Sequence, residues 1–491
     1  MPPPRFPQPS VLVASLLVLT GTIFAADRPN ILWINMDDVG TQLPCYGETA
    51  IKTPNIDRLV RDGTMFTRAF VTAPVCSPSR SAMITGMYQT SIGAQHHRSS
   101  RGPGVEKIAL PTGVETVAAL FQRAGYYTCN GDDPPKGKGL GKTDYNFDWD
   151  EKVYDGSDWS GRKPGQPFFA QIQLWGGKNR GRPDLYKKAI DLLGSATAPD
   201  SVTLPPYYPR DPVLLEDWAH YLDCIRYCDR QLGQILKRLE DEGILDQTII
   251  FFMGDHGISH ARGKQFLYDE GIRIPFIVSG PGIPRGKVRT DLIEHIDMAP
   301  TSLALADLPV PKWMQGHDLF APDDVKRDAV FAARDRCDET VDRIRSVRTE
   351  QFKYIRNFFP RRPLLQPNAY KDHKEILQRL RELHAQGKLD EMQEKLLFSP
   401  TRPAEELYDV QADPFETVNL ATDPKYQATL ETLRARLDRW MQETNDHGLE
   451  SEKACDANMA AQLKKMKPGS PRRRELEKNI ALMKQWAAEG K

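Results

Sequence analysis

The chain has 491 residues, 66 Lys+Arg against 66 Asp+Glu, and a hydrophobic share of 40%. That length supports one large and one smaller domain, each with its own core. The balanced charge removes any global field that would recruit nucleic acid or a membrane surface, so a polyanionic ligand would have to be met by a local pocket.

Arg5, the apolar run 11–19 and the small pair Ala25-Ala26 read as a secretory signal over residues 1–26. The run is too short to span a bilayer, so cleavage and export to a periplasm or the medium are expected rather than anchoring. Residues 30–36 are almost continuously apolar and predict a buried, parallel strand. The strand ends in Asp37-Asp38. Carboxylates at the C-terminal end of a central strand stand where α/β sheets place their sites. Adjacent like charges call for a cation, although a solvated loop or a helix cap would also accommodate them. A short capped helix over 53–63 and a second strand over 65–71 follow.

Val75-Cys76-Ser77-Pro78-Ser79-Arg80 comes next. Pro78 pre-sets helical φ, so a helix is expected from here to about Met87. Cys76 then lies at the helix N-terminus, where backbone N–H groups and the dipole favour negative charge. Arg80 falls four residues on, on the same side. A nucleophile, a cation and an anion-binding helix end suit attack on an anionic centre. A buried cysteine at a helix start is the plain alternative. Gln95-His96-His97-Arg98 follows in a loop, where the histidines serve either as surface groups or as a substrate or acid element.

A helix over 114–124 and a strand at 126–128 lead into the Gly/Pro/Lys-rich loop 131–145. Its glycine spacing fits neither a dinucleotide fingerprint nor a P-loop. Residues 168–174 form another strand, ending at Trp175-Gly176-Gly177-Lys178. The segment 178–210 lacks periodicity and reads as a long surface excursion. A long helix over 212–242 precedes the strand 248–253, which ends in Gly254-Asp255-His256-Gly257. This second acidic strand end can meet Asp37 and Asp38 across a switch point. Oxygen donors from two strand ends suit Ca²⁺ or Mg²⁺, and the imidazole keeps Mn²⁺ open. Arg262, Lys264 and nearby His260 follow at once. A strand over 274–279 and a helix over 297–306 complete a first domain, 27–310, closed by Pro309-Val310-Pro311.

Strands at 329–333, 343–349, 352–357 and 406–410, with helices at 369–384, 389–397 and 425–443, predict a small antiparallel sheet with helices over 311–450. The Lys/Arg/Glu-rich stretch 451–491 reads as a solvated helix or tail. Six cysteines besides Cys76 show no disulfide framework. Cys224 and Cys228 lie one turn apart on a helix, so free thiols are expected.

Taken together, Asp37-Asp38, Cys76-x-Pro78-x-Arg80, Asp255-His256, and Gly263-Lys264 ahead of Tyr268 and Gly271 resemble type I sulfatases over roughly residues 28–445. The resemblance implies an alkaline-phosphatase-like α/β fold. That fold has a central mixed, mostly parallel sheet sandwiched by helices and a smaller C-terminal α+β subdomain with an antiparallel sheet. It implies that a formylglycine-generating enzyme oxidises Cys76 to formylglycine, which acts as a hydrated aldehyde. One hydroxyl attacks sulfur and becomes sulfated; the other loses its proton and expels sulfate. Asp37, Asp38, Asp255 and His256 would hold one Ca²⁺ together with residue 76. Arg80 would stabilise the hydrated aldehyde, and Lys264 would bind sulfate oxygens.

Two departures from the family pattern stand out. No Gly-Lys-x-His follows the strand at Tyr127, which leaves Lys138 or Lys142; Lys142-Thr143-Asp144-Tyr145 resembles a variant of some bacterial sulfatases. Trp175-Gly176 stands where many relatives carry an acid histidine, so His97, His260 or a water would serve. Residues 255–282 and 333–357 look most like heparan N-sulfatase-like proteins (N-sulfoglucosamine sulfohydrolases). The expected activity is hydrolysis of sulfate esters or N-sulfo groups of a sulfated carbohydrate. A phosphonate or phosphodiester hydrolase of the same superfamily and a non-catalytic sulfated-glycan-binding protein are the rival readings.

Overall fold

Every residue of the first strand, β1 (Asn30–Met36), is buried. Its side chains alternate between two apolar layers. Ile31 and Trp33 join Met83, Ile84, Val117, Phe121 and Leu303 on one face. Leu32, Ile34 and Met36 join Ile56, Leu59, Trp218, Leu222 and Leu380 on the other. A strand covered by helices on both faces has no polar side to show, which is why its sequence lacks alternation. The computed structural model describes residue 1 and residues 28–98, 108–133, 139–323 and 326–491. The signal expected over 1–26, Met1 apart, and Lys138 lie outside the described residues.

The remaining strands of this sheet are β2 (Gly63–Phe70), β3 (Tyr127–Asp132), β4 (Phe168–Leu174), β5 (Thr248–Gly254), β6 (Arg273–Ser279), β7 (Lys287–Arg289) and β8 (Ile293–Glu294). Their order is β3-β4-β1-β5-β6-β2-β7, with β8 also on β2. Pairing is parallel from β3 through β5, antiparallel on both sides of β6, and parallel again from β2 to β7 and β8. The fold is therefore the mixed, mostly parallel sheet with helices that the resemblance implies. In register, Met36 lies opposite both Leu174 and Gly254. Three neighbouring strands thus end at one level, and whatever follows each of them meets at one edge.

A second sheet, β12-β11-β10-β9, is antiparallel throughout. It comprises β9 (Val330–Arg334), β10 (Ile344–Arg348), β11 (Phe352–Asn357) and β12 (Glu405–Asp409). Val347, Tyr354 and Leu407 pack against Leu433, Leu437 and Trp440 of the helix Gln427–Glu443. Ala332, Ile344, Ile355 and Tyr408 turn the other way and merge with the core of the large sheet.

Two stretches differ from the sequence reading. Residues 178–210 are not aperiodic: they hold a 3₁₀ turn, Gly177–Gly181, and a helix, Pro183–Leu193. Only Ala189 of that helix is buried, but Leu185, Tyr186, Ala189, Ile190 and Leu193 recur at helical spacing, with Pro183 at the start and Gly194 at the end as further signals. The charged stretch 451–491 forms two helices, Glu452–Lys465 and Pro471–Ala488, that bury Met459, Leu476 and Met483. Met459 and Leu476 close on Ala369, and Arg336 donates to Asn458 at 3.3 Å, so this segment is docked rather than solvated. All seven cysteines are free. Among the described residues no helix is long and apolar enough to cross a membrane.

Candidate active site

Asp37 and Asp38 follow β1, and Asp255 and His256 follow β5. Asp38 adopts a left-handed backbone, φ +55°, which turns the chain off the strand. In that turn its N–H donates to Asp255 Oδ1 at 3.0 Å. Gly176, just after β4, presses on the same place: a Cβ there would lie 2.2 Å from the Asp37 carbonyl oxygen. The next N–H, of Gly177, donates to that carbonyl at 2.8 Å. Three strand ends are thereby stitched together before any side chain is considered.

Cys76 is the first residue of the helix Cys76–Thr85, all ten of whose residues are buried. Its Sγ lies 3.2 Å from His256 Nε2, 3.1 Å from Lys264 Nζ and 3.9 Å from Asp38 Oδ1. Arg80, one turn along, pairs with Asp37 Oδ1 at 2.8 Å and Asp255 Oδ2 at 3.0 Å, and also donates to Gln173. Lys264 Nζ pairs with Asp38 Oδ1 at 2.9 Å. Lys142 Nζ reaches Asp37 Oδ1 at 2.6 Å, Asp144 Oδ2 at 3.3 Å and Asp255 Oδ2 at 3.8 Å. The structure thus brings Asp37, Asp38, Cys76, Arg80, Lys142, Asp255, His256 and Lys264 into one cluster.

The field in this cluster is strong. Burial pushes the Cys76 thiol up, but Lys142 and Lys264 outweigh it and bring it down to about 7. Burial likewise raises Asp38 and Asp255. Lys264 overcomes it for Asp38, and His256 and Arg80 for Asp255, so both stay well below the usual carboxylate range.

The two candidate acids separate. His97 Nδ1 is 2.8 Å from the hydroxyl of Ser77, the residue next to Cys76, and its Nε2 lies 4.0 Å from Asp338. His260 is fully buried and turned away from Cys76: its Nε2 is 2.6 Å from Asp217 Oδ2 and its ring stacks on Trp218. Burial and neighbouring Arg180 lower it to about 3, so it is neutral and holds the shell behind the cluster.

Sequence reasoning passed over Lys178 and Tyr370. Lys178 Nζ pairs with Asp37 Oδ2, placed there because β4 lies beside β1. Tyr370, from the segment between β11 and β12, brings its hydroxyl to 3.5 Å from Asp38 Oδ2. Only the position of Lys178 after an apolar strand could have signalled the first; nothing local signals the second.

Ligand atoms of Asp38, Cys76 and His256 lie within 4.8 Å of one another, as do those of Asp37, Cys76 and Asp255. Three carboxylates, none more than 1% exposed, converge there. Repulsion among buried anions and a set of hard oxygen donors fit a divalent cation. A nucleophile at a helix start, facing such carboxylates across parallel strand ends, defines an alkaline-phosphatase-like hydrolase site.

Comparison with known proteins narrows the class. The sulfatase family profile matches residues 29–308, and the profile of the N-sulphoglucosamine sulphohydrolase C-terminal region matches residues 254–399. An ulvan-active sulfatase of Formosa agariphila is 33% identical over 461 residues, covering 86% of this chain and 76% of the relative. The N-sulphoglucosamine sulphohydrolase of Homo sapiens is 27% identical over 487 residues, covering 88% of this chain and 93% of the relative. A structure solved with its substrate, D-glucosamine-2-N,6-O-disulfate, superposes with a TM-score of 0.59 at 20% identity, covering 86% of this chain and 99% of that one, and so shares its fold. The chain belongs to the sulfatase family.

Proposed function

We propose that this chain removes sulfate, as an O-ester or an N-sulfo group, from a sulfated carbohydrate, with residue 76 acting as formylglycine. The observation that carries this reading is the meeting of Cys76 with three buried carboxylates and four cations at the strand ends. Oxidised and hydrated, residue 76 supplies an oxygen nucleophile with its own route for expelling sulfate. A divalent ion, Ca²⁺ by the preponderance of oxygen donors, supplies charge neutralisation and orientation when held by Asp37, Asp38, Asp255 and His256.

The other residues take complementary roles. Lys142 and Lys264 draw the sulfuryl oxygens in and offset their charge. Arg80 ties the Asp37 and Asp255 carboxylates to the helix that carries residue 76. His97, fixed through Ser77, delivers the proton to the leaving oxygen or nitrogen. Leaving-group protonation matters for a sugar alkoxide, a poor leaving group, and little for a phenol. Maturation by a formylglycine-generating enzyme and export of the chain belong to the same reading.

Mass spectrometry of the peptide across residue 76, followed by turnover of sulfated mono- and disaccharides beside an aryl phosphodiester, tests it. We expect an aldehyde at 76 and preference for sulfate. Cys76→Ala is expected to cost on the order of 10⁶-fold in kcat, as loss of a covalent nucleophile does. An unmodified cysteine with unchanged turnover, or preference for the phosphodiester, overturns the reading.

A further inference from the structure

Most cations near Cys76 already have a carboxylate. Arg80, Lys142, Lys178 and Lys264 each pair with Asp37, Asp38 or Asp255, and Arg180 pairs with Asp217 at 2.8 Å. Lys374 does not. It is half-buried and, among the described residues, has no carboxylate within ion-pair distance and makes no side-chain hydrogen bond. Asp217 is already paired with Arg180 and His260. Lys374 also caps the start of the helix Glu375–Ala385 without a capping bond, at the helix end where positive charge is unfavourable. Removing an ammonium from water without a partner costs free energy, and a local conflict of this kind marks a functional position more often than a structural one.

The surroundings show what Lys374 serves. Its Nζ stands 5.1 Å from the centre of the Tyr370 ring, and Lys264 Nζ stands 5.0 Å from the same ring. The two ammoniums are therefore at most about 10 Å apart, and the hydroxyl of that ring points at Asp38. The segment carrying them is clamped. Lys371 donates to the carbonyls of Ala261 and Lys264, at 3.2 and 3.0 Å, and Asp372 accepts from the Asn368 N–H at 2.8 Å. The backbone that carries Lys374 is thus fixed one aromatic ring away from the sulfate-binding lysine.

Resting on the sulfatase reading above, we infer that Lys374, with the Tyr370 ring beside it, receives a second anionic substituent of the substrate, a carboxylate or a further sulfate, next to the sulfate that is cleaved. The Tyr370 ring, flanked by both ammoniums, sets the spacing between the two lysines, and Lys374 supplies the charge that a neutral monosulfated sugar leaves unanswered. The preferred substrate is a doubly anionic saccharide.

The test uses the full chain with residue 76 modified and three substrates: a monosulfated neutral sugar, a sulfated disaccharide bearing a uronate, and a disulfated sugar. Lys374→Met is expected to lower kcat/KM on a doubly anionic substrate at least tenfold more than on the neutral one, mainly through KM, and Lys374→Arg is expected to restore most of the loss. Whichever doubly anionic substrate responds identifies the group as carboxylate or sulfate. Equal loss on all three substrates, or no loss, overturns the inference. If the wild-type chain cleaves no sulfate, the sulfatase reading fails instead. Calorimetric binding of the disulfated and uronate-bearing sugars to Cys76→Ala, with and without Lys374→Met, then decides the role of Lys374: a tenfold weaker Kd supports it and an unchanged Kd removes it.

Discussion

Two of the places where the molecule buries charge are built differently. Beside the second sheet, Arg345 is fully buried and spends all five N–H groups. Nε and Nη2 go to Asp446, Nη2 also to Asp335, and Nη1 to the carbonyls of Arg334 and Ile344. Every donor of Arg345 has an acceptor, and Asp335 Oδ2, which makes no hydrogen bond among the described residues, still lies 3.0 Å from Arg345 Nη2. At the strand ends of the large sheet, Asp37, Asp38, Asp255 and Cys76 instead converge on one another, held by cations from four segments. Buried charge therefore does not by itself mark a reaction centre. What marks it is like-charged groups aimed at a common point, with lone pairs that only an added ion or ligand can share.

That contrast can be tested by breaking each side. The largest effect is expected at the saturated network. Arg345→Met strands Asp335 and Asp446 in the interior, so chemical denaturation should show a loss of about 3–5 kcal/mol. A loss below 1 kcal/mol would mean the network is not closed as described. A somewhat smaller effect is expected at the seam between the sheets, where Glu294 accepts from the Tyr88 hydroxyl at 2.7 Å and the Phe331 N–H at 2.7 Å. Burial raises Glu294, Arg327 pulls it back and Asp297 raises it again, leaving it at about 7. A carboxyl whose folded value exceeds its unfolded one stabilises at low pH. Its contribution should fade as pH rises from about 4.5 to 7, on the order of 3 kcal/mol in all. Glu294→Gln should flatten that slope, and an unaltered slope would place the titration elsewhere.

The smallest effect belongs to the converging site. Ca²⁺ at ten times its Kd should raise stability by only about 1.4 kcal/mol, seen as a rise in Tm over chelated protein. Asp37→Asn should abolish that rise. A rise that survives Asp37→Asn would put the ion somewhere else and dissolve the contrast.

The strand ends were legible because each acid pair closes a continuous apolar run, and the Cys76 helix because its proline and arginine sit at fixed offsets. Lys142 was legible by resemblance alone. Lys178 was not, because its reach to Asp37 exists only once β4 lies beside β1. Tyr370 and Lys374 were less legible still, more than 300 residues from Asp38 and brought in by the closing of the second sheet. His260 misled in the opposite direction: it is near Asp255 in sequence, yet its ring is drawn to Asp217 and Trp218. The helix Pro183–Leu193 escaped notice because it sits in a Pro-, Gly- and Tyr-rich stretch, and the docking of the last two helices did because they bury few apolar side chains.

The bond from Lys371 to the carbonyl of Lys264 bears on biosynthesis. A nascent chain ending near residue 310 already carries both acidic strand ends and the cysteine helix, but not the segment that fixes Lys264 or shields it from bulk water. Catalytic competence should therefore switch on late, when residues 368–374 leave the ribosome and settle, and truncated products should be inert even where the large sheet has formed.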